Sequence, residues 1–237
     1  MALPKITTPT YMLVQPSTGE TVEYRPFLVG EEKLLLMAME SEDEKQIYNA
    51  ITKLVQSCTS GKIGNMADPM FDLEFAFLKI RGKSVSESVE IEVLCPDDET
   101  TKVPYTLNTD EVEVLIDDKH STVIELNDEF TLNMRYPSIK DTLDGLQGKK
   151  KTDVEKIFDL VKSCISSIEH GEDVYNRVDL SNQEIDEFFD SMTQQMFEKM
   201  QEFFNSMPTL RKEIEVTNPN TNVKSTVTLE GLADFLG

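Results

Sequence analysis

Leu54-Val55-Gln56-Ser57-Cys58 returns in the second half of the chain as Leu160-Val161-Lys162-Ser163-Cys164. Two further pairs flank it. Tyr24-Arg25-Pro26 faces Arg135-Tyr136-Pro137, and Glu90-Ile91-Glu92-Val93 faces Glu213-Ile214-Glu215-Val216. The words occur in the same order on both sides, so the chain reads as two similar halves, 1–118 and 119–237, each of ordinary domain size. Each half has the order hairpin, short helix, helix, helix, hairpin. The fold class that follows is α+β, with helical clusters flanked by antiparallel β-hairpins.

Working outward, Tyr11 to Val14 and Thr21 to Tyr24 alternate around the turn residues Pro16 and Gly19, as a hairpin does, and Pro26 ends it. Glu31 to Met39 reads as a helix in which Leu34, Leu35, Leu36 and Met37 are too densely apolar for a surface element. From Glu44, the residues Ile47, Ile51, Leu54, Val55 and Cys58 recur at three- and four-residue steps, which puts one apolar stripe on a second helix. Asp68-Pro69 is a helix-start signal, and the helix to Ile80 is apolar around most of its circumference, with Gly82 as its stop. Val89 to Leu94 and Lys102 to Leu107 form a second hairpin about Cys95-Pro96-Asp97-Asp98. The acidic connector Glu111 to Asp118 reads equally as helix or strand.

A third hairpin covers Thr122 to Leu126 and Phe130 to Met134. Next comes a helix capped by Thr152 with Glu155, whose apolar face runs through Val161, Cys164, Ile165 and Ile168 to a stop at Gly171. Ser181 and Glu184 form another capping box, opening a helix read as continuous to Met207 before Pro208. A last hairpin turns at Thr217-Asn218-Pro219-Asn220. A two-stranded ribbon is marginal alone, so each hairpin must pack on helices, on another hairpin or on another chain.

Composition excludes several functions. The 44 acidic against 23 basic side chains give a formal charge of -21, with acids in excess in both halves, which would repel a phosphate backbone. Nucleic acid is therefore not an expected partner. No apolar run has the ~18 residues of a membrane span, and the opening lacks a signal-peptide pattern, so a cytoplasmic setting is expected. Cys58, Cys95 and Cys164 are an odd set that suits neither a disulfide framework nor a complete zinc site, and they read as reduced thiols. His120 and His170 read as solvated loop residues. The nucleotide-binding, zinc-protease and nucleophile-elbow motifs are missing, and there is no Trp to line a sugar groove. Neither catalysis nor a cofactor is expected.

The candidate contact elements are two. On the helix after Ser181, Met192, Met196, Met200 and Phe204 lie on a wide apolar face. Such a face ordinarily packs into a core, but flexible thioethers also suit a partner surface. The run Lys149-Lys150-Lys151 is the chain's one cationic cluster, able to dock a neighbouring acidic copy.

Taken together, Ala2-Leu3-Pro4-Lys5-Ile6, Tyr24-Arg25-Pro26-Phe27-Leu28-Val29, the Glu31-Glu32-Lys33-Leu34-Leu35 helix, the Cys58 helix and Ile91-Glu92-Val93-Leu94-Cys95-Pro96 resemble the small baseplate hub proteins of T-even-like contractile-tailed bacteriophages. The resemblance covers nearly the whole chain. It implies a structural or assembly role in the tail baseplate, through contacts with other baseplate and tail proteins and with further copies of itself. A permanent virion component and an assembly chaperone that departs are both compatible with it. It also implies a Cys-x-x-Cys zinc knuckle at the Cys95 turn in relatives. Here Asp98 stands at the second cysteine position and Asn218-Pro219-Asn220-Thr221 has no cysteine, so metal is expected to be lost and the turns to be held by packing.

Overall fold

The computed structural model describes residues 7–146 and 152–235. Its elements confirm the α+β class. The chain forms two compact units, residues 1–115 with 209–237 and residues 116–208. These differ from the halves read from the repeat in one respect: the last hairpin packs with the first unit. Lys149, Lys150 and Lys151 lie outside the described residues.

In the first unit, β1 (Tyr11–Val14) and β2 (Thr21–Tyr24) form the expected hairpin. Three helices follow: α1 (Val29–Glu40), α2 (Glu44–Cys58) and α3 (Met70–Ser84). The stripe read from α2 is buried at Ile51, Leu54, Val55 and Cys58. Asp68 does not cap α3. It accepts the Gly64 and Asn65 N–H groups, each at 2.9 Å, and so fixes the loop before the helix. Nor does Gly82 end it. It lies inside α3, at a position where a Cβ would collide with the Thr109 hydroxyl.

Hairpin β3 (Ser88–Leu94) with β4 (Lys102–Asn108) stands beside a three-stranded sheet in the order β11-β10-β5, made of β5 (Glu113–Leu115), β10 (Thr209–Thr217) and β11 (Lys224–Glu230). The acidic connector thus resolves as a strand, with Val114 opposite Leu210. Alternation decides which side chains go inward: Val89, Ile91 and Val93 from β3 meet Leu210, Ile214 and Val216 from β10, over Leu78 and Phe235. Burying that common face brings the C-terminal hairpin to the N-terminal helices.

The second unit carries one four-stranded antiparallel sheet, β6-β7-β8-β9, from β6 (Val123–Glu125), β7 (Phe130–Met134), β8 (Ile165–His170) and β9 (Asp173–Asn176). Its helices are α4 (Ile139–Gly145), α5 (Asp153–Ser163), α6 (Asn182–Asp190) and α7 (Gln194–Ser206). Two sequence readings are corrected here. The helix of Cys164 ends at Ser163, and Ile165 and Ile168 are strand residues. Their three-residue spacing faces one side because the ladder shifts register at Asn133 and Met134. Gly171, at φ 61°, is the turn of the β8–β9 hairpin. The helix expected to reach Met207 breaks after Asp190, because Ser191 closes α6 while the Thr193 hydroxyl accepts the Met196 N–H and starts α7.

One device occurs in both units. After β2, the Arg25 N–H donates to the Cys58 carbonyl at 3.1 Å, and after β7 the Arg135 N–H donates to the Cys164 carbonyl at 2.7 Å. The Arg25 guanidinium grips Glu31 at 2.7 and 2.9 Å, and Arg135 grips Asp141 at 2.6 and 3.1 Å. Each carboxylate also accepts the N–H that opens the next helix, from Leu28 at 2.7 Å and from Ser138 at 2.9 Å. The hydrogen bond to Arg25 holds the Glu31 carboxyl down at about 2. Burial opposes the effect at Asp141, yet Arg135 and Ser138 hold that carboxyl at about 2 as well. The match puts Arg25 opposite Arg135, one residue away from the alignment read in the sequence.

Glu74 on α3 is moved the other way: burial pushes its carboxyl from an ordinary 4.5 up to about 7, although the Leu232 N–H opposes the shift. A group that holds its proton in the fold adds stability that is fully present below the unfolded pKa and is lost as pH rises through the folded one. Glu74→Gln removes that loss. The variant is expected to match the wild type near pH 4 and to exceed it by about 3 kcal/mol at pH 8 in urea unfolding, the gap opening between 4.5 and 7.

Candidate functional site

Residues that the sequence reading set aside as turn residues form a hydrogen-bonded polar cluster in the first unit. The β3–β4 and β10–β11 turns have matching frames: the Glu99 N–H returns to the Cys95 carbonyl at 3.0 Å, and the Asn222 N–H to the Asn218 carbonyl at 2.8 Å. Glu99 and Asn222 take the left-handed conformation at φ 53° and 61°. Cys95 therefore corresponds to Asn218, and Asp98 to Thr221.

Asn218 is 1% exposed and joins the two turns. Its Nδ2 donates to both Asp97 oxygens, at 3.0 and 3.1 Å, and to Asp98 at 2.9 Å. The Thr221 hydroxyl donates to Asp97 at 2.5 Å, and Asn220 Nδ2 donates to the Thr101 hydroxyl at 2.9 Å. The Thr101 hydroxyl and N–H together hold Asp98 below the usual carboxylate range, and Thr221 with Asn218 does the same for Asp97. The Cys95 thiol, buried beside these carboxylates, is shifted upward, first by burial and then by their charge.

A zinc knuckle needs four ligands, ordinarily thiolates or imidazoles. The four corresponding positions here offer one cysteine, one carboxylate, one amide and one hydroxyl, and the amide turns its N–H group, not its oxygen, towards the carboxylates. These residues do not fit zinc. Among the described residues there is no group of three or more His, Cys, Asp or Glu placed to hold a metal. The expectation that packing holds the turns is replaced by this hydrogen-bonded cluster.

The methionine face is divided by the break at Ser191. Met200 is fully buried in the core of the second unit, with Phe189, Phe203 and Ile185. Met192, Met196, Phe197 and Phe204 are half-buried against the same cluster. Phe158 of α5 stacks on Phe197 at 4.9 Å. Met200 is therefore a core residue, and of the four residues singled out on this helix only Met192, Met196 and Phe204 retain exposed edges. The cysteines behave as read: Cys58 and Cys164 are buried, and burial pushes both thiols up to about 11. His120 differs. It is held by the Ser206 hydroxyl at 2.9 Å and the Tyr136 hydroxyl at 3.1 Å, and burial lowers its pKa.

The last site is on α1, and it reverses an expectation. Only Leu35 is buried, while Leu34, Leu36 and Met37 are 64%, 53% and 57% exposed. Four apolar residues in a row cannot all face one side of a helix with 3.6 residues per turn, and α2 covers a single stripe. A groove of about 780 Å³ runs along this helix, lined by Leu34, Met37, Ala38, Ala50, Lys53 and Leu54 among others.

These features define a helix-and-hairpin α+β protein whose buried polar groups are spent on joining its own elements. The chain matches the family described as T4 bacteriophage base plate protein over residues 8–237, and it belongs to that family. No match to a curated protein or to a solved structure is found.

Asn218→Ala removes the donor common to two carboxylates. It is expected to lower the thermal midpoint by ~2–6 °C while leaving the circular dichroism spectrum unchanged. Asn218→Asp adds a third carboxylate, so its deficit should exceed that of the alanine variant at pH 7 and shrink below pH 4, as the acids protonate. Equal deficits for the two variants at pH 7 would contradict the assignment.

Proposed function

We propose that the chain is a structural component of the hub region of a contractile phage tail baseplate, built from a duplicated module and acting through protein-protein contacts, not catalysis. The match to the baseplate family over residues 8–237 carries this reading. The internal use of polar chemistry supports it: the buried side chains of Gln15, Thr52, Thr59, Asp72, Thr109, Ser138 and Asn218 all bond within the chain. Among the described residues, no buried side-chain nitrogen or oxygen lacks a partner. The duplication is supported by the two matched arginine clamps and by the corresponding hairpin turns. Its expected partners are other baseplate and tail proteins, assembled in the host cytoplasm and retained in the tail. The exposed edges of Met192, Met196 and Phe204 and the Lys149-Lys150-Lys151 run are further contact candidates. No helix among the described residues is long and apolar enough to cross a membrane.

Mass spectrometry of purified particles tests the reading. The chain is expected among the tail proteins, in a fixed ratio to them and resistant to salt washing. A chain abundant in infected cells but missing from finished particles would instead identify an assembly chaperone.

A further inference from the structure

Helix α1 is twelve residues long and contributes one buried apolar side chain, Leu35, to its own unit. Its matched counterpart α4 is seven residues long and buries two, Ile139 and Leu143. The excess on α1 is Val29, Leu34, Leu36, Met37 and Met39, each between 42% and 82% exposed, and of these Leu34 and Met37 line the groove. Exposed apolar side chains gathered at a groove mark an interaction site. The groove between α1 and α2 is lined by Leu34, Met37, Ala38, Ala50 and Leu54, an apolar lining of the kind that takes an amphipathic helix.

Charge at the two ends of α1 selects the occupant. The C-terminal end of a helix carries the negative pole of its dipole and favours cations, yet the last turn of α1 has no basic residue. Instead, Glu40 and Glu42 are exposed there, followed at once by Asp43 and Glu44. The other end carries Glu31 and Glu32. Glu31 is already neutralised by Arg25. The bases along the two helices are Lys33, Lys45 and Lys53. A second copy with its α1 parallel would bring carboxylates to the Glu40 and Glu42 end, one with it antiparallel would bring the roughly neutral Glu32-Lys33 end, and two chains of formal charge -21 repel each other at long range.

We propose that the α1–α2 groove receives an amphipathic helix of a different baseplate protein. Its apolar stripe covers Leu34 and Met37, which line the groove, and lysines or arginines at one end meet Glu40 and Glu42. The proposal rests on the protein-contact reading above, whose own test is the composition of the particle. Apolar contact supplies affinity, while the acidic end fixes direction and partner sign.

The test uses the full chain and two fluorescein-labelled synthetic helices with the same leucine stripe, one with lysines and one with glutamates on its polar positions. The lysine helix is expected to bind saturably and the glutamate helix not to bind. Leu34→Ser with Met37→Ser leaves the net charge unchanged and alters only exposed side chains. It should weaken binding roughly tenfold or more with unchanged far-ultraviolet dichroism. Glu40→Gln with Glu42→Gln should weaken it roughly three- to tenfold and reduce its salt dependence.

Unchanged affinity in the serine variant would show that the peptide is held by charge elsewhere, and would overturn the proposal. So would equal binding of the two helices. Sedimentation showing a wild-type dimer that the serine substitutions disperse would assign the groove to a second copy and overturn it too. None of these results bears on whether the chain is found in the particle, so the groove can fail while the baseplate reading stands.

Discussion

The structure depends on one local constraint used twice: a chain leaving a hairpin must turn into a helix without leaving backbone donors unpaired. An arginine placed just after the hairpin resolves it in both units. Its N–H closes on the carbonyl at the end of a later helix, and its guanidinium takes a carboxylate that opens the next one. A planar guanidinium satisfies this geometry because its donors match two carboxylate oxygens at once, which a lysine cannot do. The hairpin, the helix start and the helix end are tied at a single point. A ribbon too small to be stable by itself is thereby fixed to the helices it needs.

The same economy explains the paired turns. Hairpins β3–β4 and β10–β11 meet through an apolar face of valines and isoleucines, and apolar contact alone leaves the angle between two ribbons loosely set. Asn218 supplies direction, because one amide reaches two carboxylates on the facing turn. The cluster does with hydrogen bonds what a metal ion does in knuckle-type turns, and it leaves Cys95 as a small buried side chain. The excess of acids is then carried on exposed positions, where it repels a like-charged partner and attracts a basic one.

Legibility in the sequence followed the range of the interactions. Hairpins with Pro or Gly at the turn, the α2 stripe and the boxes at Thr152 and Ser181 depend on neighbours a few residues away, and they form as read. Ile165 and Ile168 misled because their spacing suits a helix, and only pairing with β7 and its register shift makes them strand residues. The break before α7 was written in Thr193, a good cap, but the apolar periodicity crosses it unbroken and hides it. Glu31 and Asp141 each stand six residues after an arginine, a spacing that could have revealed the clamps. Nothing in the local pattern of Asn218-Pro219 indicates that its amide bridges to Asp97 and Asp98.

By itself the amino-acid order determined the class of the fold, the positions of most turns and helix starts, the strongly acidic net charge, and the recurrence of short words between the two halves. These follow from short-range sterics, capping and composition. Tertiary structure alone decided that the last hairpin joins the first unit, that Met200 is core, and that Leu34, Leu36 and Met37 face outward. Each of those depends on which distant surface removes a side chain from water, and burial is a property of the packed chain that no residue carries in its own neighbourhood.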